Sequence, residues 1–226
     1  MKAWVIPPKQ NAAFVADMER VLDLYAEPYD PARPVVCFDE RPCALVGEVE
    51  GRSPLPLRPG VETRQDHEYV RGGLCCAMLA FEPLTGSRRA WVLPQRRRVE
   101  FAAVIRDLCD EVYPEAERVR LVCDQLNTHG VASFYEAFAP AEARRLASKV
   151  EFVHTPVHGS WLNVVECEFS ALVRQCLGRR RLGTIEMLRR EVGAWVSARN
   201  AEGATVAWQF TTADARVKLR RLYPSL

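Results

Sequence analysis

No run of about 18 apolar residues occurs anywhere in the 226-residue chain, so a membrane-spanning helix is not expected. Residues 1–9, Met-Lys-Ala-Trp-Val-Ile-Pro-Pro-Lys, hold too short an apolar segment for a secretory signal peptide. There is no internal repeat and no low-complexity tract, which removes solenoids and linker-like chains from consideration. The eight cysteines, at 37, 43, 75, 76, 109, 123, 167 and 176, form no Cys-x-x-Cys pair and no Cys/His cluster at zinc spacing. Several fall in apolar runs, where a free thiol acts as a small hydrophobe, so they are expected to be reduced core residues of a cytoplasmic protein. Only four histidines are present, and His154 and His158 stand on an extended, Pro-containing segment, where four-residue spacing makes no metal face.

What is present describes a folded globular chain. Hydrophobic residues make up 48% and charged residues 27%, and this length buries one sizeable core. The formal net charge is only +2 but is uneven, because residues 171–226 carry 11 basic and 4 acidic side chains. Such a stretch suits contact with a phosphate backbone, and it equally suits a solvated helical face.

In chain order, residues 1–33 read as an extended Pro-rich piece and an amphipathic helix bearing Phe14, Met18, Val21, Leu22 and Tyr25 on one side. This arm precedes a main domain over 34–226. Val-Val-Cys-Phe-Asp-Glu (35–40) is a short buried strand, with Val35, Cys37 and Asp39 on one face and Val36, Phe38 and Glu40 on the other. Residues 51–66 read as a loop. Tyr69–Pro83 and Ser87–Leu93 form a hairpin turned at Gly86, Val99–Val112 a helix, and Arg118–Asp124 another strand. One helical stretch over 131–149, a strand at Val150–Val153, a helix capped by Ser160, and helices near 184–199 and 212–222 complete the order. That order predicts an α/β fold, a mixed sheet with helices on its faces.

Three carboxylates draw the chemistry. Asp39 and Asp124 each close an apolar strand, and Glu166 follows the last strand on a helix. The helical periodicity of Leu162, Val165, Phe169, Leu172 and Cys176 aims Glu166 inward and Glu168 to nearly the opposite side. If the two strands are neighbours, acids so close need a cation, and hard oxygen donors select Mg²⁺ or Mn²⁺. Two such ions about 3.5–4 Å apart form a clamp for phosphoryl transfer. Taken singly, a strand-end Asp is more often a turn residue, and a helical Glu is more often plain surface.

The stretches Val-Cys-Phe-Asp-Glu (36–40), Asp-His-Glu-Tyr-Val-Arg (66–71), Asp-Gln-Leu-Asn-Thr-His (124–129) and Thr-Pro-Val-His-Gly-Ser-Trp-Leu-Asn-Val-Val-Glu (155–166) resemble a DDE transposase. The resemblance is to the bacterial insertion sequence 630 family, kin to the mariner elements. Trp-Gln-Phe-Thr-Thr-x-Asp-Ala-Arg-x-Lys-Leu (208–219) also fits. The resemblance implies a ribonuclease H-like fold with a five-stranded sheet. It implies cleavage of transposon DNA ends and strand transfer by a triad of Asp39, Asp124 and Glu166 holding two divalent cations. Double-stranded DNA is then the partner, bound as a homodimer in a synaptic complex in the bacterial cytoplasm, at the nucleoid, with no membrane involved. Asn163, His129, His158, Gln125 and Trp161 are expected near the triad or substrate, with Asn163 orienting Glu166 or a water. Arg96, Arg97, Arg98, Arg179, Arg180 and Arg181 are expected to touch DNA phosphates, although alone such clusters are solvated faces.

Two departures stand out. The family usually has Asn after the second aspartate, where this chain has Gln125. Its N-terminal helix-turn-helix, which reads the terminal repeats, has no counterpart in residues 1–33, so a separate DNA-binding segment is expected. The competing readings are a ribonuclease H-like nuclease that cuts without joining, and an inactive DNA-binding remnant.

Overall fold

The computed structural model describes residues 11–50, 67–178 and 180–224. The Pro-rich opening, the loop at 51–66, Asp66 and Arg179 lie outside the described residues. Five strands, β1 (Val35–Gly47), β2 (Val70–Glu82), β3 (Ser87–Leu93), β4 (Val119–Cys123) and β5 (Val150–His154), make one sheet in the order β3-β2-β1-β4-β5. β1, β2 and β3 are antiparallel neighbours, whereas β4 joins β1 in parallel and β5 joins β4 in parallel. The mixed sheet predicted from element order is therefore present.

Period-two alternation sorts each strand into two cores. On one face Cys37, Cys43, Cys75, Ala77, Leu79 and Phe81 pack with helices α1 (Ala12–Ala26), α5 (Val165–Leu172), α6 (Ile185–Glu202) and α7 (Thr212–Lys218). On the other, Val36, Phe38, Cys76, Met78 and Ala80 pack with α2 (Arg98–Asp107), α3 (Ala132–Ala137) and α4 (Pro140–Lys149). Both faces are covered, as parallel strands require. None of the eight cysteines is in a disulfide; seven are buried and Cys167 is exposed.

Three boundaries differ from expectation. The stretch 131–149 is two helices, because Pro140 cannot continue α3 and instead opens α4 at its first position. Ser160 does not cap α5; it opens a single 3₁₀ turn over Ser160–Leu162, and α5 starts only at Val165. β1 does not end at Asp39. Its antiparallel pairing with β2 runs on to Gly47, and only its parallel pairing with β4 stops at Cys37.

The orientation of the two α5 glutamates is the reverse of the periodicity argument. Glu168 is 3% exposed, whereas Glu166 is exposed to solvent. Arg88 on β3, itself buried, donates from Nε to Glu168 Oε2 at 2.5 Å, and Arg199 on α6 donates to Oε1 at 3.2 Å. Arg88 also donates to the carbonyls of Gly86 and Ala204, at 2.5 and 2.6 Å, and its guanidinium lies 4.5 Å from the centre of the Phe81 ring. A buried charge with this many partners locks β3, α5 and α6 together. An apolar-periodicity argument weighs only hydrophobic spacing and has no means of finding the buried cation that draws Glu168, rather than Glu166, inward.

Candidate active site

The β1–β4 register matches Cys37 with Val122. Two residues further along both strands lie Asp39 and Asp124, the latter just past the end of β4, so parallel pairing sets the two aspartates side by side. β5 pairs with β4 through His154, and the chain then turns through Thr155–Gly159 toward α5. His158 in that turn adopts φ 65°, a left-handed conformation uncommon outside glycine. A Cβ at Gly159 would stand 2.5 Å from the Pro156 ring, so only glycine fits this bend.

Asn163 carries the turn back to β1. It is 2% exposed, its Nδ2 donates to the Phe38 carbonyl at 2.9 Å, and its own carbonyl accepts the Glu166 N–H at 3.1 Å. The start of α5 is thus tied to the residue before Asp39. Tyr25 of α1 braces the same turn, donating to the Leu162 carbonyl at 2.9 Å. Asn163 therefore anchors the helix bearing Glu166 through the backbone and spends its side-chain N–H on β1. Asn163→Ala should lower stability by about 1–3 kcal/mol, since it strips a buried carbonyl of its donor. A denaturant melt of the two proteins measures it.

The charges of Asp124 and Glu166 both act on Asp39. Burial pushes the Asp39 carboxyl up to about 7; the Glu40 N–H, 2.7 Å from Oδ1, and the charge on His129 oppose the rise, and the charges on Glu166 and Asp124 add to it. Burial also opposes the charge on Asp124, but the His129 hydrogen bond and charge outweigh it and hold this carboxyl below its usual range. His129 Nδ1 and Asp124 Oδ1 are 2.6 Å apart, and the Leu126 N–H reaches the same oxygen at 3.2 Å. His129 is 2% exposed, which works against its charge, yet Asp124 and Glu40 raise its pKa to about 9. Each aspartate thus has one oxygen engaged, while Oδ2 of neither accepts a hydrogen bond from the described residues. Among those residues no three His, Cys, Asp or Glu side chains form a ready-made metal cage.

The other expected site residues divide. His129 is at the site. Gln125 turns away, its Nε2 donating to Asp17 of α1 at 3.0 Å and to the Thr155 carbonyl at 3.2 Å, so it has no direct bond to the acids. Trp161 packs edge-on against Phe210 at 6.1 Å, within the periphery of the core. His158 is exposed on the turn. The arginines are ion-paired: Arg96 to Glu40 at 3.0 Å, Arg97 to Glu100 at 2.6 Å, Arg98 to Glu136, Arg180 to Glu191 at 2.9 Å and Arg181 to Glu48 at 2.7 Å. The residue that sequence reasoning missed is Glu40. It was assigned only a strand face, and the one available signal was a carboxylate on the same face as Val36 and Phe38.

Residues 34–189 match the family model described as DDE superfamily endonuclease. No curated protein gives a match. Among solved structures, a mariner Mos1 paired-end complex with Mg is similar over 100% of this chain and 67% of that one, at 15% identity and TM-score 0.61. A Mos1 transposase paired-end complex with left transposon end is similar over 90% of this chain, at 16% identity and TM-score 0.54, and the Mos1 strand transfer complex over 90%, at 14% and 0.53. The chain spans 62% of the length of each of these two Mos1 chains. The five-stranded mixed sheet flanked by helices is the ribonuclease H-like fold of the Mos1 catalytic domain.

Proposed function

The chain belongs to the DDE superfamily of endonucleases, and from that membership we propose that it is a transposase catalytic domain of the insertion sequence 630 branch. In this reading it hydrolyses phosphodiester bonds at transposon ends and transfers the freed 3′-hydroxyl into target DNA. The single observation that carries the reading is geometric: the β1–β4 register sets Asp39 beside Asp124, and Asn163 ties the start of the helix bearing Glu166 to the residue before Asp39.

The donor set fits hard divalent cations. It consists of carboxylate oxygens with no soft ligand among the three, and mutual repulsion already opposes their joint ionisation. Asp39, Asp124 and Glu166 would hold two Mg²⁺ or Mn²⁺ ions. When bound, such ions stabilise charge developing on the phosphoryl oxygens. The protein's own residues do the positioning. His129 and the Leu126 N–H hold Asp124 by one oxygen, the Glu40 N–H does the same for Asp39, and Asn163 fixes the start of α5.

The substrate in this reading is double-stranded DNA, held by a homodimer as a paired-end complex, with end recognition supplied by a further N-terminal segment. Residues 34–226 form the catalytic domain, and α1 is an arm packed on it. Arg96, Arg97, Arg98, Arg180 and Arg181 would meet DNA by exchanging carboxylate partners for phosphates, which tempers their contribution to affinity.

A joining assay tests the proposal. The protein is incubated with a duplex end carrying a free 3′-hydroxyl, supercoiled plasmid and Mg²⁺ or Mn²⁺. Covalently joined product is the expected result, abolished by chelation. Nicked plasmid without joining would reduce the function to a nuclease, and no cation-dependent product at all would contradict it.

A further inference from the structure

We propose that Glu40 is a positioning residue for this site, fixing the Asp124 carboxylate through His129. The inference rests on the reading of the three acids as cation ligands. Glu40 projects from β1 on the side of Val36 and Phe38, and its side chain is 2% exposed. A carboxylate kept there is costly without partners. Oε1 has one, Arg96 at 3.0 Å, but that arginine is 52% exposed, and an ion pair reaching out to a solvated guanidinium contributes little.

The other oxygen supplies the reason. Glu40 Oε2 and His129 Nε2 are both buried, both without a hydrogen bond, and 3.9 Å apart. That separation is too long for a hydrogen bond and within ion-pair range. The imidazole is held in place by the rings of Phe101 and Phe38, with centroids 4.8 and 5.6 Å away, so it has little freedom to turn elsewhere. Its opposite nitrogen bonds Asp124 Oδ1 at 2.6 Å. Arg96, Glu40, His129 and Asp124 therefore form one line from solvent, beneath the site, to the second aspartate. Glu40 also donates its own N–H to Asp39 Oδ1, so this one residue touches the first aspartate by its backbone and reaches the second through the imidazole. The effect is to occupy one oxygen of each aspartate and to leave the other without a hydrogen bond from the described residues. Supporting partners of this kind are what set ligand orientation in metal sites.

The test uses the full chain and manganese as the probe. Mn²⁺ affinity, read by electron paramagnetic resonance, should fall about tenfold in Glu40→Gln and about ten- to a hundredfold in His129→Gln. The double variant should bind no more weakly than His129→Gln alone, because Glu40 acts through the imidazole. Wild-type affinity in a folded Glu40→Gln, or losses that add in the double variant, would overturn the proposal. If Glu40→Gln does not fold, Glu40→Asp, which keeps the charge and shortens the reach, serves the same comparison. A second readout needs no cation. The proton on His129 Nδ1 should give a downfield nuclear magnetic resonance signal that moves in Glu40→Gln; an unmoved signal would overturn the contact. Should the wild-type chain take up no Mn²⁺ while that signal still moves, the contact stands and the cation reading fails.

Discussion

Asp39→Asn should lower Mg²⁺-dependent DNA cleavage at least about a thousandfold, with the fold intact. The side chain keeps its shape and can still accept the Glu40 N–H, so little packing is lost. What goes is the negative charge at the point where Asp124 and Glu166 both act. A cation's stabilisation of a phosphoryl transition state amounts to several kcal/mol, and each 1.4 kcal/mol is about a factor of ten in rate. Single-turnover cleavage of a labelled end measures the loss, with circular dichroism checking the fold. Removing Asp39 also relieves repulsion in the metal-free protein, so its stability should not fall along with its activity.

The second large effect separates two glutamates that stand two residues apart. Glu168→Ala should cost about 3–5 kcal/mol of stability, because it leaves the fully buried Arg88 guanidinium without its carboxylate. A domain's whole stability is about 5–15 kcal/mol, so the melting midpoint should drop on the order of 10 °C. Glu166→Ala, on the exposed side of the same helix turn, should leave the melt unchanged and abolish cleavage. A thermal melt beside a cleavage assay distinguishes the pair. Matching losses of stability in both variants would mean that Glu166 is a structural residue too.

Much of this was legible in the sequence. The alternation of Val36 and Phe38 against Cys37 and Asp39 did sort β1 between two cores, and Ser87–Leu93 is a strand as read. Asp39 and Asp124 were picked out as ends of apolar runs, and the parallel register does make them neighbours. What stayed hidden has a common physical character. The pairing of Glu168 with Arg88 spans 80 residues, and Arg88 to Ala204 spans 116. Local periodicity has no access to such contacts, so it placed the wrong glutamate inside. Ser160 looked like a helix cap because serine favours that position, but the bend at Gly159 and the tether from Asn163 to Phe38 delay α5 to Val165. Glu40 escaped for the same reason as Glu168: burial of a charge is decided by partners distant in the chain, here His129 and Arg96.

Everything turns on whether the three acids hold divalent cations together. Anomalous diffraction from a crystal of the protein soaked in Mn²⁺ tests it directly. The expected result is manganese density bounded by Asp39, Asp124 and Glu166 and lost in Asp39→Asn. Manganese bound only elsewhere, or none between these side chains at a concentration that saturates binding in solution, would contradict the account.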